Sequence, residues 1–233
     1  MRSVRHLIIG AATLALTLTA IGAPVSAAGS GKVAIINGVP FKRIDVCVNG
    51  REIKSALPYG KQVFRKLKAG PKKIKFYKKD PRTCRGKRLA TKSFPFPAGS
   101  DLTIVMTKSG PKVLIFDNAA LIAPPLPTDN VSLAWRNASD IAAVSLDRDF
   151  DVPTPTPITP AVDPVWLKAD VGESWGPLQA DVAIYTVVWT VVDTATVLAG
   201  PVATLISRGF RYEWIFIGTT PSNARMVVLK RPL

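Results

Sequence analysis

Apolar side chains recur at every second position through much of this chain, in short runs that end at glycine, proline or asparagine. Val33 and Ile35 alternate with Lys32 and Ala34. Ile44, Val46 and Val48 alternate with Asp45, Cys47 and Asn49, and Ile74 and Phe76 alternate with Lys73 and Lys75. A period of two sends successive side chains to opposite faces of an extended backbone, so these runs predict half-buried β-strands. Further strands are expected over Leu102–Thr107 and Lys112–Phe116. Turns are expected at Asn49-Gly50, Ala69-Gly70-Pro71, Ala98-Gly99-Ser100 and Ser109-Gly110-Pro111. Short strands at such spacing predict an all-β fold, an antiparallel sandwich of about seven strands.

The same order of strands recurs further on. Val131, Leu133 and Trp135 take the place of Val33 and Ile35, and the run from Ile141 to Leu146 that of Ile44 to Val48. The stretch from Val182 to Val192 parallels Ile74 onward, and Tyr212 to Ile217 and Arg225 to Leu229 parallel the last two strands. This predicts a diverged tandem duplication. Between the halves, Pro124, Pro125 and Pro127 exclude a regular helix or central strand and predict a stiff connector. The expected boundaries are a signal peptide over 1–27, a first β-sandwich over 28–118, a linker over 119–128 and a second β-sandwich over 129–233. Few apolar residues in the connector lead one to expect two separate folding units.

Charge divides the chain in the same place. Residues 32–118 carry 21 Lys or Arg against 5 Asp or Glu, residues 129–233 carry 8 against 11, and all five tryptophans lie in the second half. Arg2 and Arg5, an apolar run from Leu7 to Ile21 and small residues at Val25-Ser26-Ala27 predict a secretory signal cleaved near Ala27. The expected location is therefore extracellular or at the cell wall. Cleavage would remove His6, the single histidine, leaving no imidazole for a Ser-His-Asp or Cys-His nucleophile or for a histidine metal site. No later segment is long and apolar enough to predict a transmembrane helix. Cys47 and Cys84, the two cysteines of an exported chain, predict one disulfide and no metal.

The first half resembles a known family, the exported domains of unknown function numbered 4397 (DUF4397). The residues that carry the likeness are Val33-Ala34-Ile35-Ile36-Asn37-Gly38-Val39-Pro40 and Ile44-Asp45-Val46-Cys47-Val48-Asn49-Gly50. Leu57-Pro58-Tyr59-Gly60, Leu67-Lys68-Ala69-Gly70 and Pro97-Ala98-Gly99 add to it. Cys47 replaces an aromatic residue common in that family, and Asn37 stands where histidine is frequent. The resemblance implies small immunoglobulin-like β-sandwiches, often in tandem, on secreted or wall-associated proteins. It implies no known activity and supplies no catalytic residue.

Three groups of residues are candidates for function. Lysines and arginines crowd residues 61–92, and Lys72, Lys73, Lys75, Lys78, Lys79, Arg82, Arg85, Lys87 and Arg88 are the candidates for binding a polyanion. The same density also protects strand edges and keeps a chain soluble. Trp166 and Trp175 flank Val171-Gly172-Glu173-Ser174 and are candidate exposed contacts, whereas Trp135, Trp189 and Trp214 lie in apolar strands and read as core. Asp147, Asp149 and Asp151 alternate and could set carboxylates on one side of a strand. That spacing suits acid/base chemistry or calcium, but the glycine and distal glutamate of a calcium loop are missing. Asn130 and Asn137 head glycosylation sequons.

These readings predict a secreted, non-enzymatic module for binding or adhesion at a cell surface, with no cofactor and no specific nucleic acid. Its partner would be an anionic surface polymer or an extracellular protein. The alternatives are a hydrolase using Asp147, Asp149 or Asp151, and a purely structural spacer.

Overall fold

Strands form where the alternation places them, and edge strands that the pattern marks poorly are added. The first half contains β1 (Ser30–Asn37), β2 (Ile44–Val48), β3 (Arg51–Leu57), β4 (Gln62–Lys68), β5 (Lys72–Lys78), β6 (Arg88–Phe94), β7 (Asp101–Met106) and β8 (Val113–Asp117). The second contains β9 (Val131–Asn137), β10 (Val144–Asp149), β11 (Pro164–Ala169), β12 (Ser174–Ala180), β13 (Ile184–Val191), β14 (Val197–Leu205), β15 (Phe210–Ile217) and β16 (Arg225–Pro232). This computed structural model describes residues 29–40, 42–81, 84–119, 131–141, 144–149, 164–170, 172–180, 184–191 and 197–232. The expected signal peptide and the proline-rich connector lie outside the described residues, apart from Ala119.

Eight strands stand in the first half where about seven are expected, because β3, β4 and β6 are rich in charge and show little alternation. They lie at sheet edges, in the orders β4-β1-β7-β8 and β3-β2-β5-β6. A polar edge strand resists pairing with another chain, which is why its sequence lacks a clean pattern. The hairpin from β2 to β3 turns on Asn49 (φ 50°) and Gly50 (φ 80°), the left-handed pair that a two-residue hairpin requires. Val33, Ile35, Val46, Ile74, Phe76 and Ile104 fill the space between the two sheets, making a β-sandwich. The pairing departs from the antiparallel immunoglobulin arrangement in two respects. β1 and β7 run parallel, and β1 and β2 belong to different sheets, whereas an immunoglobulin domain keeps its first two strands together.

The second half has sheets in the orders β12-β9-β15-β16 and β11-β10-β13-β14, the first-half orders with every number raised by eight. The corners correspond as well. Asn37 Oδ1 accepts the Val39 N–H at 2.9 Å, and its Nδ2 donates to the carbonyls of Lys42 and Leu57. Asn137 Oδ1 accepts the Ser139 N–H at 3.0 Å and its Nδ2 donates to the Ile141 carbonyl. Asn137 is fully buried, so its sequon is no glycan acceptor in the folded chain. Trp135, Trp189 and Trp214 are core, as expected. Trp135 stacks on Trp214 at 5.4 Å and Trp189 on Phe216 at 4.9 Å.

The halves are not held by the connector alone. Their two middle sheets, β4-β1-β7-β8 and β12-β9-β15-β16, pack face to face, so β1, β7, β9 and β15 are buried along nearly all their length instead of half-buried. Ala34, Ile36, Val105 and Phe116 meet Ile215, Ile217, Val227 and Leu229 there. Beside this apolar patch lies a buried charged cluster. Arg211 and Arg231 both donate to the Asp101 carboxylate. Glu213 Oε2 accepts from Thr103 Oγ1 at 2.8 Å and Arg136 Nε at 3.2 Å, and its Oε1 lies 3.2 Å from Arg231 Nε. Asn118 joins the two ends, donating to Thr103 and accepting from Arg136 at 2.6 Å. Burial lowers the pKa of Arg136 and of Arg231, and Glu213 opposes that shift in both.

Tyr59, on the turn after β3, seals the rim of the interface by donating its hydroxyl to the Asn223 carbonyl, with Arg225 4.8 Å over its ring. Burial pushes its pKa from 10.0 up to about 12. The unfolded chain ionises this phenol first, so the contribution of Tyr59 is intact below pH 10 and is lost between pH 10 and 12, by about 1 kcal/mol once partial exposure is allowed for. Denaturant titrations at pH 9 and pH 11.5 should therefore show the gap between wild type and Tyr59→Phe narrowing at the higher pH. An unchanged gap would mean that Tyr59 does not ionise less readily in the fold.

Candidate anion-binding surface

The outer face of the β3-β2-β5-β6 sheet carries the basic cluster. Along β5, Ile74 and Phe76 point into the core, which turns Lys73, Lys75 and Tyr77 outward. The outward positions of β2, Asp45 and Cys47, are nevertheless buried. Asp45 accepts from the Ala56 N–H at 2.8 Å, the Ser55 hydroxyl at 3.2 Å and the Asp80 N–H at 3.3 Å, so its carboxylate is engaged with the fold. Cys47 is bonded to Cys84, with the Cα atoms 6.0 Å apart.

That disulfide draws the segment after β5 back across the sheet. Gly86 is needed in it, because a Cβ there would meet the Lys78 carbonyl oxygen at 2.4 Å and Asp80 Cβ at 2.9 Å. The Lys78 N–H donates to the Lys87 carbonyl at 2.8 Å, and the Lys79 N–H to the Arg43 carbonyl at 3.2 Å. These bonds gather three separate pieces of chain around an open groove of about 580 Å³. It is lined by Lys42, Arg43, Lys78, Lys79, Lys87 and Leu89. Among the described residues, five cations and no carboxylate line it, a concavity in which the potentials of the cations add and a negative group finds several donors at once.

Of the residues expected to bind a polyanion, Lys78, Lys79 and Lys87 line this groove. Lys73, Arg85 and Arg88 are exposed, Lys73 at the far end of β5 beside Asn49, and Lys75 is half-buried, while Arg82 lies outside the described residues. Lys72 does not belong. It shares the inward side of β5 with Ile74 and Phe76, is buried, and donates its ammonium to the carbonyls of Ala69 at 3.3 Å and Gly70 at 3.0 Å. Lys42 and Arg43 were not singled out in the sequence, since an isolated basic pair before a strand carries no signal until the fold sets it beside β5. Trp166 lies in β11 and Trp175 in β12, opposite Trp135, but the side chains of both lie outside the described residues. So do those of Asp147 and Asp149 in β10, and Asp151 and Asn130 altogether. Among the described residues, no group of three or more His, Cys, Asp or Glu is placed to hold a metal ion, and no helix is long and apolar enough to cross a membrane.

A family model described as "Domain of unknown function (DUF4397)" matches residues 31–147, from β1 through the connector into β10. No curated protein matches the chain. Among solved structures, a leucine-rich repeat protein from Bacteroides thetaiotaomicron is 12% identical, with 85% of this chain and 27% of that one covered and a TM-score of 0.20. A "putative cell adhesion protein" from Bacteroides uniformis is 10% identical, with 82% and 91% covered and a TM-score of 0.22. This chain thus spans about a quarter of the first of these proteins. Likenesses at such TM-scores say nothing about function.

Proposed function

The chain belongs to the DUF4397 family of domains of unknown function, and from that premise we propose that it is a secreted, non-enzymatic tandem of two β-sandwiches serving as a binding or adhesion module at the cell surface. Its ligand is an acidic surface polymer, rich in phosphate or carboxylate, held in the basic groove of the first half. The observation that carries this reading is the lining of that groove, with Lys42, Arg43, Lys78, Lys79 and Lys87 drawn from three pieces of chain and no carboxylate among them. Solubility alone asks for dispersed charge. It does not ask for a concavity fixed by a disulfide and a close-packed glycine. Each exposed contact to a polymer is weak and is screened within about 8 Å at physiological salt, so binding needs several lysines acting together.

Reversing Lys42, Lys78, Lys79 and Lys87 to glutamate is expected to abolish retention on a polyphosphate matrix, and about 1 M salt is expected to elute the wild type. A control reverses the exposed Lys66, Lys68, Lys108 and Lys112, for the same change in net charge. It should keep at least half of the retention. Equal loss in both variants would mean that net charge acts without a site.

A further inference from the structure

We infer that the two halves are a covalently joined pseudo-twofold pair whose central polar contact, Asp101 against Arg211, is reversed in charge at equivalent positions, so that each half accepts the other and refuses a copy of itself. The equivalence follows from the corners. Asn37 and Asn137 hold the same place, and their carbonyls accept from the Gly60 and Gly172 N–H at 2.9 and 2.8 Å. Along the parallel pairs, Asn37 faces Met106 and Asn137 faces Phe216. Counting back from these, Asp101 corresponds to Arg211, Thr103 to Glu213 and Val105 to Ile215. Thr103 pairs with Phe116 and Glu213 with Leu229, and continuing one strand position past Asp117 sets Asn118 in correspondence with Arg231.

A residue near a twofold axis meets its own equivalent, and more distant contacts come in reciprocal pairs. Both signs are present. Asp101 binds Arg211, Thr103 binds Glu213, and Val105 and Ile215 share one apolar cluster. Away from the axis, the Tyr59-Gly60 turn of the first half lies against Asn223 and Arg225 of the second. The equivalent turn at Gly172 lies so near Leu114 of the first half that a Cβ would stand 3.3 Å from it.

Chemistry at these equivalent positions differs between the halves in a complementary way. The first supplies Asp101, Thr103 and Asn118, where the second supplies Arg211, Glu213 and Arg231. Two first halves joined through this face would bury Asp101 against Asp101. Two second halves would bury Arg211 against Arg211 and Glu213 against Glu213. A pair of first halves would bury two carboxylates with no arginine, and a pair of second halves would bury Arg136, Arg211 and Arg231 twice over with only Glu213 from each half to neutralise them, whereas in the mixed pair Asp101 supplies the missing carboxylate. The partner that this surface fits is thus the other half of the same chain. Copies of the protein gain nothing by exchanging halves of one kind.

The test is a double-mutant cycle in the full chain, with Asp101→Arg, Arg211→Asp and both together, read as the midpoint of thermal unfolding. Each single variant should lower the midpoint by 5 °C or more, and the exchanged pair, in which position 101 still faces Arg231, should lose clearly less than the two singles together. If the charge-reversed singles do not fold, the same cycle is run with Asp101→Asn and Arg211→Gln, where the double should lose less than the two singles together. Losses that simply add would overturn the inference. A second arm places a specific protease site between residues 124 and 127 and cuts the folded protein. Native mass spectrometry should then find complexes holding one of each half. Separated halves or complexes of two like halves would overturn it equally.

Discussion

Replacing Glu213 by alanine is expected to destabilise the protein by about 3–5 kcal/mol, as breaking a buried ion pair from one side does. For a chain of this size that lowers the unfolding midpoint by about 10 °C. The carboxylate is fully buried, accepts from Thr103 and Arg136, and lies 3.2 Å from Arg231 Nε. Without it Arg231 keeps Asp101, but Arg136, which burial already disfavours as a cation, loses its bonded carboxylate. Glu213→Gln, which still offers an oxygen to Thr103, should lose less. Urea titration followed by tryptophan fluorescence measures both variants. A loss below about 1 kcal/mol for the alanine variant would mean that water enters the interface and solvates the arginines.

The strands were legible in the sequence because period two survives wherever one face of a sheet meets the core and the other meets solvent. Lys73 to Tyr77 is of that kind, and in Ile44 to Val48 the alternation survives because the covered outward positions are Asp45 and Cys47, held by hydrogen bonds and the disulfide instead of an apolar core. The contact between the halves was signalled only faintly. Val33-Ala34-Ile35-Ile36 and Trp214-Ile215-Phe216-Ile217 are continuous apolar runs, the mark of strands buried on both faces, and reading only their alternate positions hides this. The charged cluster gave no signal at all. Asp101, Arg136, Arg211, Glu213 and Arg231 are residue types that sequence reasoning assigns to the surface, and partners 110 residues apart are brought together only by the stacked sheets.

The basic surface was legible as a density and not as a place. Strand parity sets both Lys72 and Lys78 with Ile74 and Phe76, but Lys72 is buried and bonded to the carbonyls of Ala69 and Gly70 while Lys78, at the strand's end, is exposed, a difference that crowding in sequence does not reveal. Lys42 and Arg43 enter the groove through the pairing of β2 with β5, a fact of topology. The succession of strands, by contrast, could be read along the sequence, and the two sets of sheets follow the same order.

Removing the Cys47–Cys84 disulfide, by Cys47→Ala with Cys84→Ala, is expected to cost about 4 kcal/mol, the loop-closure value for cysteines 37 residues apart. Two effects should separate in this variant. Stability falls because the unfolded chain regains the freedom of the loop. Retention on polyphosphate falls as well, and it falls at temperatures where the protein is still folded, because the disulfide tethers the segment that carries Lys87 across the end of β5. Because all five tryptophans lie in the second half while the disulfide lies in the first, fluorescence also reports on coupling between them. A tryptophan transition shifted to lower urea by the double substitution means that the stacked middle sheets unfold as one unit. A tryptophan transition that stays in place, with circular dichroism showing an earlier loss of strand, would mean that the interface yields before either core. Retention that persists unchanged in the folded double variant would show that Lys42, Arg43, Lys78 and Lys79 hold the polymer without the disulfide-bonded segment.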